Sequence, residues 1–304
     1  MDNLLVSVVV ISYNSAKTIA ETLESIRAQT YSPLELIVSD DASTDDTAAI
    51  AREWAEKNRS RFVRAEVIVA EKNGGIPANL NRGIAAARGE YLKSIAADDI
   101  LCANCVNDNV VFMREHPESN VCISKIHEFS TNNGFPENIE DSPVSSSVME
   151  FFSAPADKQY EMLLSSCFID APAAFFKTSL LKKFPYNELY PAMEDWPKWL
   201  ELTKAGIRLD FLNKITVHYR VGGGVSAKPQ HGFYKRPFME SSKLFYITTL
   251  RNALCEKGLH SRVAKYDRDF LLYDFIIASF DNKKNLFSSV ARFFARLFLH
   301  IVIR

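Results

Sequence analysis

Over residues 4–99 the chain alternates apolar runs with helix-patterned stretches, and most of the apolar runs end in polar or acidic side chains. "LLVSVVVISYN" (4–14) and "LELIVSDD" (34–41) are apolar and β-branched, as expected of strands buried on both faces. "FVRAEVIVAE" (62–71) and "EYLKSIAADD" (90–99) read as a third and a fourth strand. Between them, residues 16–29 place Ile19, Leu23 and Ile26 on one helical face. Residues 43–57 read as a helix capped by Ser43 or Thr44, and residues 76–88 as a helix bounded by Gly74–Gly75 and Gly89. This alternation predicts an α/β fold, a mostly parallel sheet flanked by helices. Its crossovers put the carboxyl ends of the strands along one edge, where ligands bind. Tyr13–Asn14, Asp40–Asp41 and Asp98–Asp99 are expected to meet there.

The pattern loosens after about residue 117. "NVCISKIHEF" (120–129) reads as a strand, residues 130–148 as a loop, and "APAAFFKTSLLKKF" (171–184) as a strand followed by a short helix. "MEDWPKWLELTKAG" (193–206) reads as a helix starting near Pro197, and "IRLDFLNKITVHYR" (207–220) as a strand. A glycine-rich loop (221–232) follows, and helical pattern dominates to the end. The expected organisation is an α/β domain over 1–235, with halves 1–103 and 104–235, and a helical C-terminal extension over 236–304.

Composition narrows the function classes. A 304-residue chain that is 47% hydrophobic, with a formal net charge of -1, is globular and offers nucleic acid no overall attraction. Five cysteines without framework spacing, and no signal peptide at the start, point to the reducing cytoplasm. Cys102 and Cys105 form a CxxC with no second pair at zinc spacing, so they read as half-buried thiols.

Each acidic site has two local readings. Asp98 and Asp99 either cap the next helix or hold a divalent cation that bridges a diphosphate. Asp40–Asp41 either close an Asx turn or accept the imide N–H of a uracil-like base, on which Tyr13 stacks. Glu194–Asp195, beside Trp196, Pro197 and Trp199, supply either a capping acid or a general base at a helix start.

Taken together and in order, "VSVVVISYN" (6–14), "SIRAQTYSPLELIVSDDASTDDT" (25–47), "NGGIPANLNRGIAAARGEYLKSIAADD" (73–99) and "MEDWPKWLEL" (193–202) resemble the family 2 glycosyltransferases of GT-A fold. The resemblance is dense over 4–103, returns at 170–226, and leaves the last eighty or so residues uncovered. It implies inverting transfer of a sugar from a UDP- or dTDP-sugar to an acceptor hydroxyl with Mn2+ or Mg2+. It assigns Asp41 to the base, Tyr13 to stacking on it, Asp98 to the ribose and metal, Asp99 to the metal, and Asp195 to the catalytic base with Glu194 beside it. Arg220 and Lys228 are expected to contact the diphosphate, with Gly222–Gly224 letting that loop move.

Two departures stand out. Ala96 occupies the position where the family often carries the first acid of Asp-x-Asp-Asp, and neither His218 nor His231 aligns firmly as a metal ligand. Ala96 also motivates the alternative of a non-catalytic membrane scaffold. A nucleotidyltransferase is disfavoured because "SYNSAKT" (12–18) lacks a glycine-rich basic loop.

The tail repeats Arg292, Arg296, His300 and Arg304 every fourth residue among Phe, Leu, Ile and Val, after Lys283 and Lys284. A basic stripe on an apolar helix predicts peripheral contact of 285–304 with the cytoplasmic face of an inner membrane. Membrane contact tilts the expected acceptor toward a lipid-linked saccharide, and the family resemblance implies surface-polysaccharide assembly of the O-antigen type as its setting.

Overall fold

The computed structural model describes residues 4–130, 144–221 and 232–303. The chain divides into two compact units, Met1–Val221 and Gly222–Arg304. The first opens with β1 (Val6–Ser12), α1 (Ile19–Arg27), β2 (Leu34–Asp40), α2 (Thr47–Lys57), β3 (Arg64–Val69), α3 (Ile76–Ala86) and β4 (Tyr91–Ala96). It continues with β5 (Ile100–Leu101), α4 (Cys105–Glu115), β6 (Val121–Phe129), α5 (Ser146–Ser153), α6 (Ala156–Leu163), β7 (Ala174–Lys177), α7 (Thr178–Lys183), α8 (Asp195–Lys204) and β8 (Asp210–Arg220).

The strands form one sheet in the order β3-β2-β1-β4-β7-β6-β8-β5. β1 pairs in parallel with both β2 and β4, and β3 adds in parallel outside β2. The chain therefore starts mid-sheet, runs outward to β3 and returns past β1 to β4. The strand order reverses between β1 and β4, and the carboxyl ends beside such a reversal are where open α/β sheets bind ligands. β7 is antiparallel to β4 and β6, β8 runs parallel to β6, and β5 is antiparallel to β8.

Alternation along β1 covers both faces of the sheet. Val6, Val8 and Val10 share a core with Ile19, Leu23 and Ile26 of α1, all fully buried. Each such side chain contributes about 1.5–3 kcal/mol on burial. Val9 points to the other face, where α3 comes so close that a Cβ on Gly83 would lie 2.4 Å from Val9 Cγ1. Glu35, inside fully buried β2, accepts from Ser7 Oγ (2.6 Å), the Arg88 amide (2.9 Å) and Arg64 (2.8 Å). Burial pulls its pKa up, but these donors outweigh it and hold the carboxyl below its ordinary range.

Three local expectations are corrected. α2 begins at Thr47, after Asp46, and neither Ser43 nor Thr44 caps it. Ser43 Oγ donates instead to Asp40 (2.6 Å), and Thr44 donates to Asn14 Oδ1 (2.8 Å). β4 ends at Ala96, so Asp98–Asp99 occupy the turn before β5 rather than the strand itself. α8 begins at Asp195, which puts Pro197 inside its first turn.

The second unit contains α9 (Arg236–Phe245), a π-helical segment Tyr246–Leu250, α10 (Arg251–Glu256), α11 (His260–Phe280) and α12 (Leu286–Val302). Tyr246 packs its ring on Tyr266 and Phe270. Asn285 and Ser288 cap α12 reciprocally. Among the described residues no helix is long and apolar enough to cross a membrane.

Gly75, just before α3, has φ +86, and a Cβ there would lie 2.4 Å from the Pro191 carbonyl oxygen. That oxygen already accepts the Ile76 amide at 2.9 Å. Gly75→Ala is expected to destabilise the chain by at least about 2 kcal/mol, read as a lower urea midpoint with an unchanged slope.

Candidate active site

β1 ends in a loop with Asn14 at φ 51, and the β2–α2 loop grips it. The Asn14 amide donates to Ser43 Oγ (2.8 Å), Ser15 to Thr47 Oγ1 (2.7 Å) and Ala16 to Asp45 Oδ2 (3.1 Å). Tyr13 rides on this clamped loop with its side chain half exposed. Asp40, fully buried, accepts from Ser12 Oγ (2.8 Å) and the Ser43 amide (2.9 Å).

Asp41 is 2% exposed and heavily engaged. Its Oδ2 accepts from the amides of Gly74 (3.0 Å) and Gly75 (2.8 Å). Its Oδ1 accepts from Gly74 (3.1 Å) and the Arg82 guanidinium (3.1 Å). A carboxylate offers about four acceptor positions, so a base N–H enters only by taking over part of the shared Gly74 bond. Arg82 also donates to Asn79 Oδ1 (2.9 Å) and the Asp40 carbonyl (3.3 Å). The sequence reading missed Arg82, although its place one helical turn after Asn79 was the available signal.

The Asp98–Asp99 turn follows β4. The Asp99 side chain is almost fully buried, and Oδ1 accepts the Arg220 amide at 2.9 Å. Burial, and then the Asp98 charge, push its pKa up to about 7. Asp98 is less enclosed, and burial raises its pKa against the pull of Arg220. Beneath them Lys93 is fully buried, its ammonium donating to the carbonyls of Pro172 and Ala174. Arg220 closes the side of the turn: Nε donates to the Asp98 carbonyl (2.7 Å), one terminal nitrogen bonds Glu21 (2.5 Å), and the guanidinium lies 4.6 Å from the Phe129 ring centroid. No sequence signal pointed to Glu21. His218 pairs with Ile100, and its Nε2 lies 3.4 Å from Cys102 Sγ. Lys228, His231 and Gly222–Gly224 lie outside the described residues.

Glu194 and Asp195 stand at the start of α8. The Trp196 amide donates to Asp195 Oδ1 at 2.6 Å, and Cys167 Sγ lies 4.0 Å from Oδ2. Burial and the Asp195 charge push Glu194 up to about 8, and burial raises Asp195 as well. Asp170, absent from the sequence candidates, is raised to about 6 by burial, by Asp195 and by Glu128. The Gly74–Gly75 turn links the two groups of acids. It donates to Asp41 on one side and rests on Pro191 on the other, three residues before Glu194.

Among the described residues no three His, Cys, Asp or Glu side chains gather as a metal site. The adjacent carboxylates of Asp98 and Asp99, crowded and raised in pKa, suit a cation that takes its remaining ligands from water and phosphate oxygens.

The chain resembles known proteins over most of its length. Residues 7–184 match the family described as Glycosyl transferase family 2. The chain is 30% identical over 226 residues, 73% of its length, to 80% of the Escherichia coli UDP-Glc:α-D-GlcNAc-diphosphoundecaprenol β-1,3-glucosyltransferase WfaP. It is 28% identical to the E. coli enzyme WfgD, which bears the same descriptive name, over 67% of this chain and 72% of that one. The crystal structure of S. aureus TarS 1-349 in complex with UDP superposes with a TM-score of 0.59 at 25% identity, covering 93% of this chain and 76% of that one. Of a longer TarS structure the chain spans 44%.

The acids at α8 give a measurable pH signature. Glu194 is raised in the folded chain from 4.5 to about 8, so the folded state binds more protons than the unfolded one between those values. Stability is therefore expected to fall as pH rises from about 5 to about 8. Glu194→Gln should flatten that decline, which thermal unfolding at a series of pH values measures.

Proposed function

The chain belongs to the family 2 glycosyltransferases, and from that premise we propose inverting, cation-dependent transfer of a sugar from a UDP-sugar to a hydroxyl of a lipid-linked saccharide in surface-polysaccharide assembly. The setting is the cytoplasmic face of an inner membrane, with the chain held there peripherally. The observation that carries the reading is the joining of two sets of acids. Strand-end Asp41 is tied through Gly74–Gly75 and Pro191 to the segment that presents Glu194 and Asp195. The names of WfaP and WfgD, which specify UDP-Glc and a diphosphoundecaprenol-linked saccharide, and the UDP complex of TarS support the donor and acceptor classes.

Tyr13, exposed on its clamped loop, stacks on the base, and Asp41 accepts the imide N–H in place of one share of the Gly74 bond. Asp98 and Asp99 would hold Mn2+ or Mg2+, with Asp98 the outer ligand and Asp99 fixed behind it by the Arg220 amide. Such an ion, when bound, supplies charge neutralisation for the departing diphosphate. Arg220 exchanges Glu21 for a diphosphate oxygen and keeps its bond to the Asp98 carbonyl. Asp195 takes the proton of the acceptor hydroxyl. Burial raises both carboxyls of this pair, so the two hold on to a shared proton while the remaining carboxylate charge serves the base role. One base acting on the acceptor hydroxyl, opposite the departing diphosphate, is what a single inverting displacement requires.

Asp195→Asn is expected to lower transfer on the order of 10³-fold while UDP binding persists. Unchanged turnover removes Asp195 from the base role. Asp98→Ala is expected to abolish the Mn2+ dependence of UDP binding in calorimetry, and binding that still responds to Mn2+ places the cation elsewhere.

A further inference from the structure

α12 is built inside out. An ordinary surface helix turns its apolar stripe inward and its charges to water. Here Phe287, Phe293, Phe294, Leu297 and Phe298 are each at least 52% exposed, and Ser288 is fully buried on the opposite side. Arg292 also turns inward, its guanidinium 4.9 Å from the Phe233 ring centroid and 5.4 Å from that of Tyr234. This corrects the expected stripe: Arg292 belongs to the packed face, while Arg296 and His300 stay exposed at the margin of the phenylalanines. Phe287 meets Phe280, which meets Phe275, so the apolar surface continues onto α11.

We propose that this face is seated in the headgroup–acyl boundary of an anionic bilayer, with α12 lying flat in the interface. At 17 residues the helix is about 25 Å long, and its strongly one-sided apolar face suits an in-plane position. Charge selects lipid over a second copy of the chain. Lys283, Lys284, Arg296 and His300 flank the phenylalanines, and residues 286–302 include no acid. Two such faces pressed together gain no opposite charge from either helix, whereas anionic headgroups match the basic margin. The inference deepens the membrane-side function proposed above and rests on it for the nature of the acceptor surface.

Co-sedimentation of the full chain with vesicles of phosphatidylglycerol and phosphatidylcholine, against phosphatidylcholine alone, tests it. The wild-type chain is expected to prefer the anionic vesicles. Phe294→Asp with Phe298→Asp should lower partitioning at least about 100-fold. Lys283→Glu, Lys284→Glu and Arg296→Glu together should lower it about fivefold or more per residue on anionic vesicles, with little change on neutral ones. A wild-type chain that binds neither vesicle overturns the proposal. So does a dimer in sedimentation equilibrium that the phenylalanine substitutions dissociate while vesicle binding stays unchanged. Donor hydrolysis in vesicle-free solution is measured on the same proteins. Hydrolysis without vesicle binding defeats only the membrane face, and vesicle binding without hydrolysis defeats only the catalytic reading.

Discussion

The site of the first unit depends on one carboxylate. Asp41 lies just beyond a fully buried strand, and its two oxygens accept from two consecutive amides and a guanidinium. Leaving a buried carboxylate without donors costs several kcal/mol, so the fold must bring Gly74, Gly75 and Arg82 to it. Bringing them there sets the start of α3, and Gly75 in turn accepts the close approach of Pro191 because it has no Cβ. Position is thus passed from the second strand to the Glu194–Asp195 segment through backbone atoms, which are stiffer carriers than long side chains.

The parts of this fold visible in the sequence are those whose physics is local or topological. Strands buried on both faces must be apolar without interruption, so Val8, Val9 and Val10 announce β1 directly. The rule that parallel strands expose their carboxyl ends together puts the residues that follow β1, β2 and β4, among them Tyr13, Asp41 and Asp98, on one edge of the sheet. The family membership was legible for the same reason: the motifs sit at those ends, in order.

What stayed hidden depended on partners far along the chain. Ser43 fits a helix cap by its neighbours, but its oxygen accepts from the Asn14 amide, 29 residues back, instead. Asp41 reads as a ligand contact, and nothing local shows that the Gly74 amide, 33 residues on, already shares it. Asp170 carries no motif and gains meaning only from its closeness to Asp195 and Glu128. The facing of α12 was not readable either. A helical wheel separates basic from apolar residues, yet aromatic rings from residues 233 and 234 decide that an arginine is the one turned inward.

Lys93 bears on how such a chain is assembled. A fully buried ammonium, capped by two carbonyl oxygens, lies close enough to Asp99 to lower that acid's pKa against burial and the Asp98 charge. Burial lowers the pKa of Lys93 in turn, so the lysine offsets only part of the charge that the turn gathers. In many small metal-binding domains the ligands come together only when the ion arrives, so that loading and folding are one event. Lys93 differs in kind: it arrives with β4 itself, so its pull on Asp99 is present as soon as that strand pairs with β1.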